Sequence, residues 1–479
     1  MTTNAEILLA GAVGLVFASI ASAAAEPGQA PPPAAADERT SPRMIKIRES
    51  VADQEALVYS RSSWGTCPNG KSFQLNALST HKDWQYATWY DAKRRLCVGR
   101  RKLPDGAWET VHFDYYIHKA TDTHNTTQLG ICPANGTLHM AFDHHGSPLH
   151  YRVSRKGVTT RPDAVKWAAN LFGPVTSKLN PDGPREGSVT YPTFCRAPGG
   201  DLFLLWRRGG SGGGDWRLAE YDGKAGAWKA LGAVLSGKGA YKDSASRCAY
   251  PNGIDFDAKD RLHLTWCWRE SPNPMSNHDV CYAYSDDRGR TWFNNAGERA
   301  GETGETPLRV DTPGIAAIKV PTGRGLINTT GQAVDGKGRI HVVTWHLPSG
   351  AKANNWSGAK KNRRYFHYWR DLEGAWHRNA IAPRVMMGAR PKLCFDARDN
   401  LYVVFKALGV ATATAAAQWK NWTVAYAEPG TFLSEPAVDV CRWRGESVLS
   451  IYAQRRPEKP GGASPLCVFD LKPAGGPGP

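Results

Sequence analysis

The chain is poor in several things that would simplify its reading. Its ten cysteines include no CxxC pair, which argues against a zinc ribbon or a thioredoxin-type redox motif. After the first 25 residues, no apolar run approaches the roughly 20 residues of a membrane-spanning helix. Acidic residues are outnumbered, 44 to 60, leaving a net charge of +16, yet the basic residues form no run of the kind that binds nucleic acid. No nucleic-acid or membrane partner is therefore expected. A surface of this sign attracts polyanions in general, acidic polysaccharide among them.

What is present points to short strands and tight turns. The 479 residues contain 49 Gly, 32 Pro, 18 Trp and 17 Tyr. The stretch "ILLAGAVGLVFASIASAAAE" has the apolar core of an export signal and a small-x-small site at Ala21-Ser22-Ala23, although "MTTNAE" before it lacks the usual positive charge. We therefore read residues 1–25 as a signal peptide and expect a secreted or periplasmic protein. Residues 26–50 read as a disordered Pro/Ala-rich linker, 51–472 as the folded domain and 473–479 as a flexible tail. Several cysteines lie in apolar strand-like runs ("LHLTWCWRE", "PKLCFDA"), so most are expected as buried thiols.

A phrase recurs: a Gly- or Asp/Asn-containing turn, then an alternating apolar strand. It stands as "NGTLHMAFD", "GGDLFLLWR", "KDRLHLTWCWR", "KGRIHVVTWH" and "RDNLYVVFK", with Leu138, Leu202, Leu262, Ile340 and Leu401 equivalent. A second strand follows each, as in "LHYRVS", "WRLAEYD", "VCYAYSDD", "YFHYWRD" and "WTVAYAE". Weaker relatives at "QYATWYDAKRRLCVGRR" and "SVLSIYAQ" bring the total to seven. The expected fold is all-β: a seven-bladed β-propeller of four-stranded antiparallel sheets. "SDDRGRTW" has the S-x-D-x-G-x-T-W form of an Asp-box hairpin, with Asp287 capping the turn and Trp292 packing between sheets.

Histidine is concentrated: His139, His144, His145 and His150 fall within twelve residues. Strand alternation puts His144 and His145 on opposite faces unless the chain turns. "HGSPL" begins such a turn, so either can face a site. His139 and His150 are read as structural. Upstream, "TDTHNTTQLGICP" supplies His124 and Asn125, one strand–turn–strand away.

"DTHNTTQLGICPANGTLHMAFDHHGSPLHYRVS", "SVTYPTFCRAPGGDLFLLWRRGGSGGG" and "SRCAYPNG" together resemble the BNR-like propeller polysaccharide lyases, notably ulvan lyases. The resemblance runs from about 60 to 455 and is strongest between 120 and 295. It implies β-elimination at a rhamnose–uronate linkage of an acidic, ulvan-like sulfated polysaccharide, leaving a 4,5-unsaturated uronate. It also implies a catalytic set of His124, His144 (or His145), Tyr191 and Arg207. Asn125, His145, Arg208 and Tyr250 then serve as substrate-binding residues.

That chemistry needs these residue types. The C5 proton of a uronate is barely acidic until its carboxylate is neutralised, a task for a permanently charged, bidentate guanidinium such as Arg207. A base must then take the proton and an acid must protonate the departing O4. His124 suits the base and Tyr191 the acid. The reverse assignment, or one residue in both roles, remains open. The rivals are a hydrolase of rhamnosyl-glucuronate linkages and a non-catalytic glycan-binding propeller. A sialidase needs an arginine triad and a Tyr–Glu pair that cannot be assembled here. No organic cofactor is expected, and the protein is read as a monomer.

His263, Cys267, His278 and Cys281, in "LHLTWCWRESPNPMSNHDVCYAYSDD", are of zinc-ligand type. Members of the family resembled carry a structural zinc, so these four are the expected ligands. His341 or His346 stands by as a replacement.

Overall fold

The structure is a computed structural model; it describes residues 41–61, 65–244, 246–382, 389–406 and 408–475. The segment read as a signal peptide and most of the presumed linker lie outside these residues, as do the last four of the tail. The linker reading fails over its final residues: Met44–Asp53 is a strand. Its "MIKIRESV" has the branched apolar spacing of an edge strand rather than the Pro/Ala composition of a linker.

The described residues form an all-β propeller whose sheets follow one another along the chain. The first sheet is Leu78–His81, Trp84–Tyr90, Arg95–Lys102 and Glu109–Ile117. The second has three strands, Thr127–Cys132, Thr137–Phe142 and Tyr151–Val153. The third is Val189–Arg196, Leu202–Gly210, Gly213–Asp222 and Ala227–Leu235. The fourth begins at Cys248–Phe256, and a single parallel pairing, Gly214 with Cys248, joins it to the third. Its Leu262–Arg269 and Asn277–Ser285 are extended by two short strands that both pair with the latter. The fifth and sixth, starting at Gly331–Val334 and Lys392–Phe395, have four strands each. The seventh combines Ala437–Val438, Leu449–Gln454 and Leu466–Pro473 with Met44–Asp53. The earliest described strand thus completes the last sheet, as its edge beside Leu466–Pro473.

Every recurrent turn-plus-strand phrase is the second strand of its sheet. "WTVAYAE" differs from its expected place: Thr423–Ala427 is the fourth strand of the sixth sheet, because Gly409–Ala413 intervenes. The Asp-box behaves as its pattern predicts. Asp287 accepts from the N–H of Arg290 (3.1 Å) and Thr291 (2.7 Å), and Trp292 is fully buried. A buried ion cluster fastens the first sheet to the seventh. Arg101 meets Asp470 at 2.8 Å, and Asp470 also takes Arg442 at 2.9 Å. All ten cysteines are free thiols, eight of them buried.

Candidate active site

The histidine-bearing segments come together because the chain leaves its strand. After Phe142, Asp143 adopts a left-handed φ of 62°, which breaks the period-two alternation. The next strand, His145–Ser147, does not rejoin the second sheet; it pairs with the first strand of the third, His145 opposite Thr190. His145 is thereby set beside Tyr191. Asn125 and Asp143 hold the two loops in register: Asn125 Nδ2 donates to the Asp143 carboxylate at 2.7 Å, and the Asp143 N–H donates to the Thr126 carbonyl at 3.1 Å.

Asp122 organises the imidazoles. Its two oxygens accept separately, from His124 Nδ1 at 2.5 Å and from His145 Nδ1 at 2.7 Å. Both rings are therefore held with Nδ1 protonated and Nε2 free of that carboxylate. The rings stack on each other at 4.3 Å, and Phe73 supports His124 from its other side at 5.3 Å. Burial pushes the His124 pKa down, by more than the Asp122 carboxylate lifts it, so the ring is neutral at neutral pH. Burial alone would raise Asp122, but hydrogen bonds from the two imidazoles carry it well below the usual carboxylate range.

Opposite lie a phenol and two guanidiniums. Tyr191 sits at a bulge between Thr190 and Thr193 with φ 53°, a conformation costly for an aromatic residue and often kept at functional positions. Its ring lies 6.0 Å from that of His124, 6.3 Å from His145 and 6.4 Å from Tyr250. The Arg207 guanidinium stands 5.0 Å from the Tyr191 ring centroid. Burial raises the Tyr191 pKa despite that cation, leaving a neutral phenol that can donate. Arg207 is buried, pairs with no carboxylate among the described residues, and leaves its Nε without a partner. Tyr250 Oη accepts from Arg207 Nη1 (3.4 Å) and Arg269 Nη1 (3.3 Å) and lies 2.9 Å from Ser211 Oγ.

His124, His145, Tyr191, Arg207 and Tyr250 are thus brought together. His144 is not. It is buried beneath the turn, its Nε2 accepts the His150 N–H at 2.8 Å, and burial drives its pKa down to about 3. The left-handed Asp143 is the reason: it turns the second histidine, not the first, toward Tyr191. Asn125 is a loop clamp, spent on Asp143. Arg208 is exposed, on the face of its strand opposite to Arg207. Sequence reading missed Asp122 and Arg269. The "D-x-H" spacing is the trace of the first, since a side chain two residues back can reach its own loop. Nothing comparable marks Arg269.

The expected zinc ligands do not converge. Trp266 pairs with Cys281 and Trp268 with His278, so these two share the even face of their hairpin, whereas His263 and Cys267 share the odd face. His263 Nδ1 contacts Tyr282 Oη at 3.0 Å. Both His278 nitrogens are taken by carboxylates, Glu270 at 2.9 Å and Asp279 at 3.0 Å. Burial lowers the His278 pKa, but those two acids outweigh it and hold the ring toward its cationic form. Burial raises the Cys267 thiol to about 12. With the four side chains divided between two faces and His278 held by two carboxylates, the residues do not fit the metal. His341 lies against Asp335 and His367, and His346 against Tyr368, so neither completes the set.

The chain belongs to the BNR repeat-containing family, whose model matches residues 84–384. Among curated proteins it is 23% identical over 315 residues to the long-isoform ulvan lyase of Alteromonas sp. (strain LOR), a match covering 54% of this chain and 31% of that one. It is 25% identical over 275 residues to the short isoform from the same strain, covering 47% and 50%. The chain thus spans under a third of the curated long isoform and half of the short one. Among solved structures, the polysaccharide lyase Uly1 superposes at a TM-score of 0.70 and 19% identity, covering 90% of this chain and 100% of that one. A PL25 ulvan lyase bound to -[GlcA(1-4)Rha3S]- superposes at 0.64 and 13%, covering 88% and 95%. These likenesses establish the fold.

Proposed function

We propose that the chain is an exported polysaccharide lyase, cleaving a rhamnose–uronate linkage of an acidic, ulvan-like polymer by β-elimination. The observation that carries this reading is the pairing of a neutral, carboxylate-oriented imidazole with a neutral phenol beside an uncompensated guanidinium. In this scheme Arg207, aided by Tyr250, grips the uronate carboxylate and stabilises the charge that grows on it. His124, with Nδ1 anchored on Asp122, takes the C5 proton through Nε2. Tyr191 donates its proton to the departing O4, and the nearby Arg207 charge favours the phenolate left behind. His145, not His144, stands beside Tyr191 and shares Asp122 with the base, so it fills the second histidine position of the site.

Elimination is favoured over hydrolysis by the state of Asp122. Glycoside hydrolysis ordinarily uses two carboxyl groups, one of them protonated. Here both Asp122 oxygens are engaged by imidazoles and its pKa is depressed, so it neither donates a proton nor attacks. The curated relatives named ulvan lyase support the choice of polymer, and the apolar N-terminal stretch supports export.

The test is mass spectrometry of the products from ulvan. A lyase leaves ends one water lighter than hydrolysis products. Products carrying that water overturn the elimination, and an uncut polymer overturns the activity.

A further inference from the structure

A second buried cation stands on the second sheet. Arg152, on the strand Tyr151–Val153, is 2% exposed and forms no ion pair with a carboxylate among the described residues. Its guanidinium is caged by rings: Phe113 at 4.0 Å, Tyr115 at 5.1 Å and Phe172 at 5.4 Å from their centroids. Nη2 donates to the carbonyls of Phe172 (3.2 Å) and Gly173 (2.6 Å), while Nε and Nη1 have no acceptor. Burial lowers its pKa to about 10 with no acid to offset the loss. Ring faces stabilise such a cation but supply no counter-charge. A buried cation lacking one is costly, and such groups are ordinarily paired.

The same arginine lines a cavity of about 610 Å³, with Tyr115, Tyr116, Asn170, Phe172 and Pro174. That size falls within the roughly 300–1,000 Å³ of small-ligand sites. Tyr115 and Tyr116 both reach the cavity because their strand bulges: Leu96 pairs with Phe113, but the preceding Arg95 pairs with Ile117. Tyr115 is 59% exposed, an apolar ring face open to an incoming ligand. Tyr116 also donates to Asp143 at 2.6 Å, which ties the cavity wall to the loop that carries His145.

We propose that this cavity is a second glycan-binding site, taking an acidic sugar whose anionic group compensates Arg152 while its ring packs on Tyr115. The anion is a uronate carboxylate or a sulfate ester, which share the charge and the oxygen acceptors. The site would hold a part of the polymer distant from the bond being cut. The identity of the occupant rests on the reading of the chain as an enzyme of acidic polysaccharide.

Affinity electrophoresis of the full chain through gels containing dextran sulfate, polygalacturonate or neutral dextran tests this. Tyr115→Ala and Arg152→Lys leave net charge unchanged, so the general attraction of a basic protein to polyanions stays constant. At least a fivefold weaker retention of Tyr115→Ala by one acidic polymer, with none by neutral dextran, is expected. Loss confined to dextran sulfate identifies a sulfate ester, and loss confined to polygalacturonate a carboxylate. Arg152→Lys, which keeps the charge but not the planar fork, should follow the same polymer; if it fails to fold, the exposed Tyr115 variant alone decides. Unchanged retention of Tyr115→Ala by both acidic polymers overturns the site. Wild-type products from ulvan, measured separately, report on the lyase reading, so the two failures are distinguishable.

Discussion

Two histidine-rich regions of this propeller look alike in sequence and differ in what their side chains face. In the loops around 122–145, two imidazoles share one carboxylate, and their rings lie 6.0 and 6.3 Å from that of Tyr191, which the Arg207 guanidinium overlies at 5.0 Å. In the hairpin 262–285, His263 and His278 point to opposite faces and spend their nitrogens within the fold, His278 between two acids. Histidine density marks neither a metal nor a catalyst; what surrounds the ring decides. The imidazoles of the first region lie beside a phenol and a guanidinium, whereas those of the hairpin are held inside the fold.

Breaking the first region should cost most. Arg207→Ala and His124→Ala should each lower kcat on ulvan by about 10³-fold, the scale of losing a charge stabiliser or a general base. Circular dichroism should show both variants folded. Asp122→Asn should cost less, about 10²-fold, because the rings remain but lose their common anchor. It also carries a signed pH effect. Asp122 raises the His124 pKa against the downward pull of burial, so removing its charge moves the acid limb of the rate profile to lower pH. A limb that stays in place, or shifts upward, would separate that limb from His124.

The neighbouring histidines sharpen the comparison further. His145→Ala should reduce turnover roughly tenfold without changing thermal stability. His144→Ala should do the opposite: kcat unchanged, with about 1–3 kcal/mol of stability lost, since the His150 N–H beneath the turn loses its acceptor. His144 and His139 are also held neutral, with pKa values near 3, far below the unfolded value of about 6.5. The unfolded chain therefore binds more protons between those limits, and stability is full above about pH 6.5 and falls as pH drops toward 3. Melting temperatures recorded from pH 7 to 4 should decline, and His144→Ala should flatten part of that decline. The smallest effect belongs to the hairpin: a strong chelator should leave the melting temperature of the purified protein unchanged, and a clear drop would reinstate a bound metal.

Much of the propeller was readable because each second strand announces itself by a turn and an apolar alternation, from Leu138 to Leu401. The Asp-box was readable for the same reason: its residues act on their own turn. What escaped depended on backbone geometry or on pairing across strands. Nothing in "FDHHGS" reveals that Asp143 is left-handed, and that one angle exchanges His144 for His145. Nothing in "LHLTWCWRESPNPMSNHDVC" reveals the register that divides its four presumed ligands between two faces. "WTVAYAE" was displaced by a strand as plain as "GVATA", whose small residues carry little pattern. Arg152 gave no sign because a missing partner is a property of three dimensions, and Arg269 because its contact with Tyr250 spans two strands.

The most direct test is the absorbance of unsaturated uronate released from ulvan, followed for the wild-type chain and for Tyr191→Phe at a temperature where both are folded. The account predicts a steady rise for the wild type and a near-complete loss when only the phenolic oxygen is removed. An equal rise in both would contradict it, since the leaving oxygen would then be taking its proton from elsewhere.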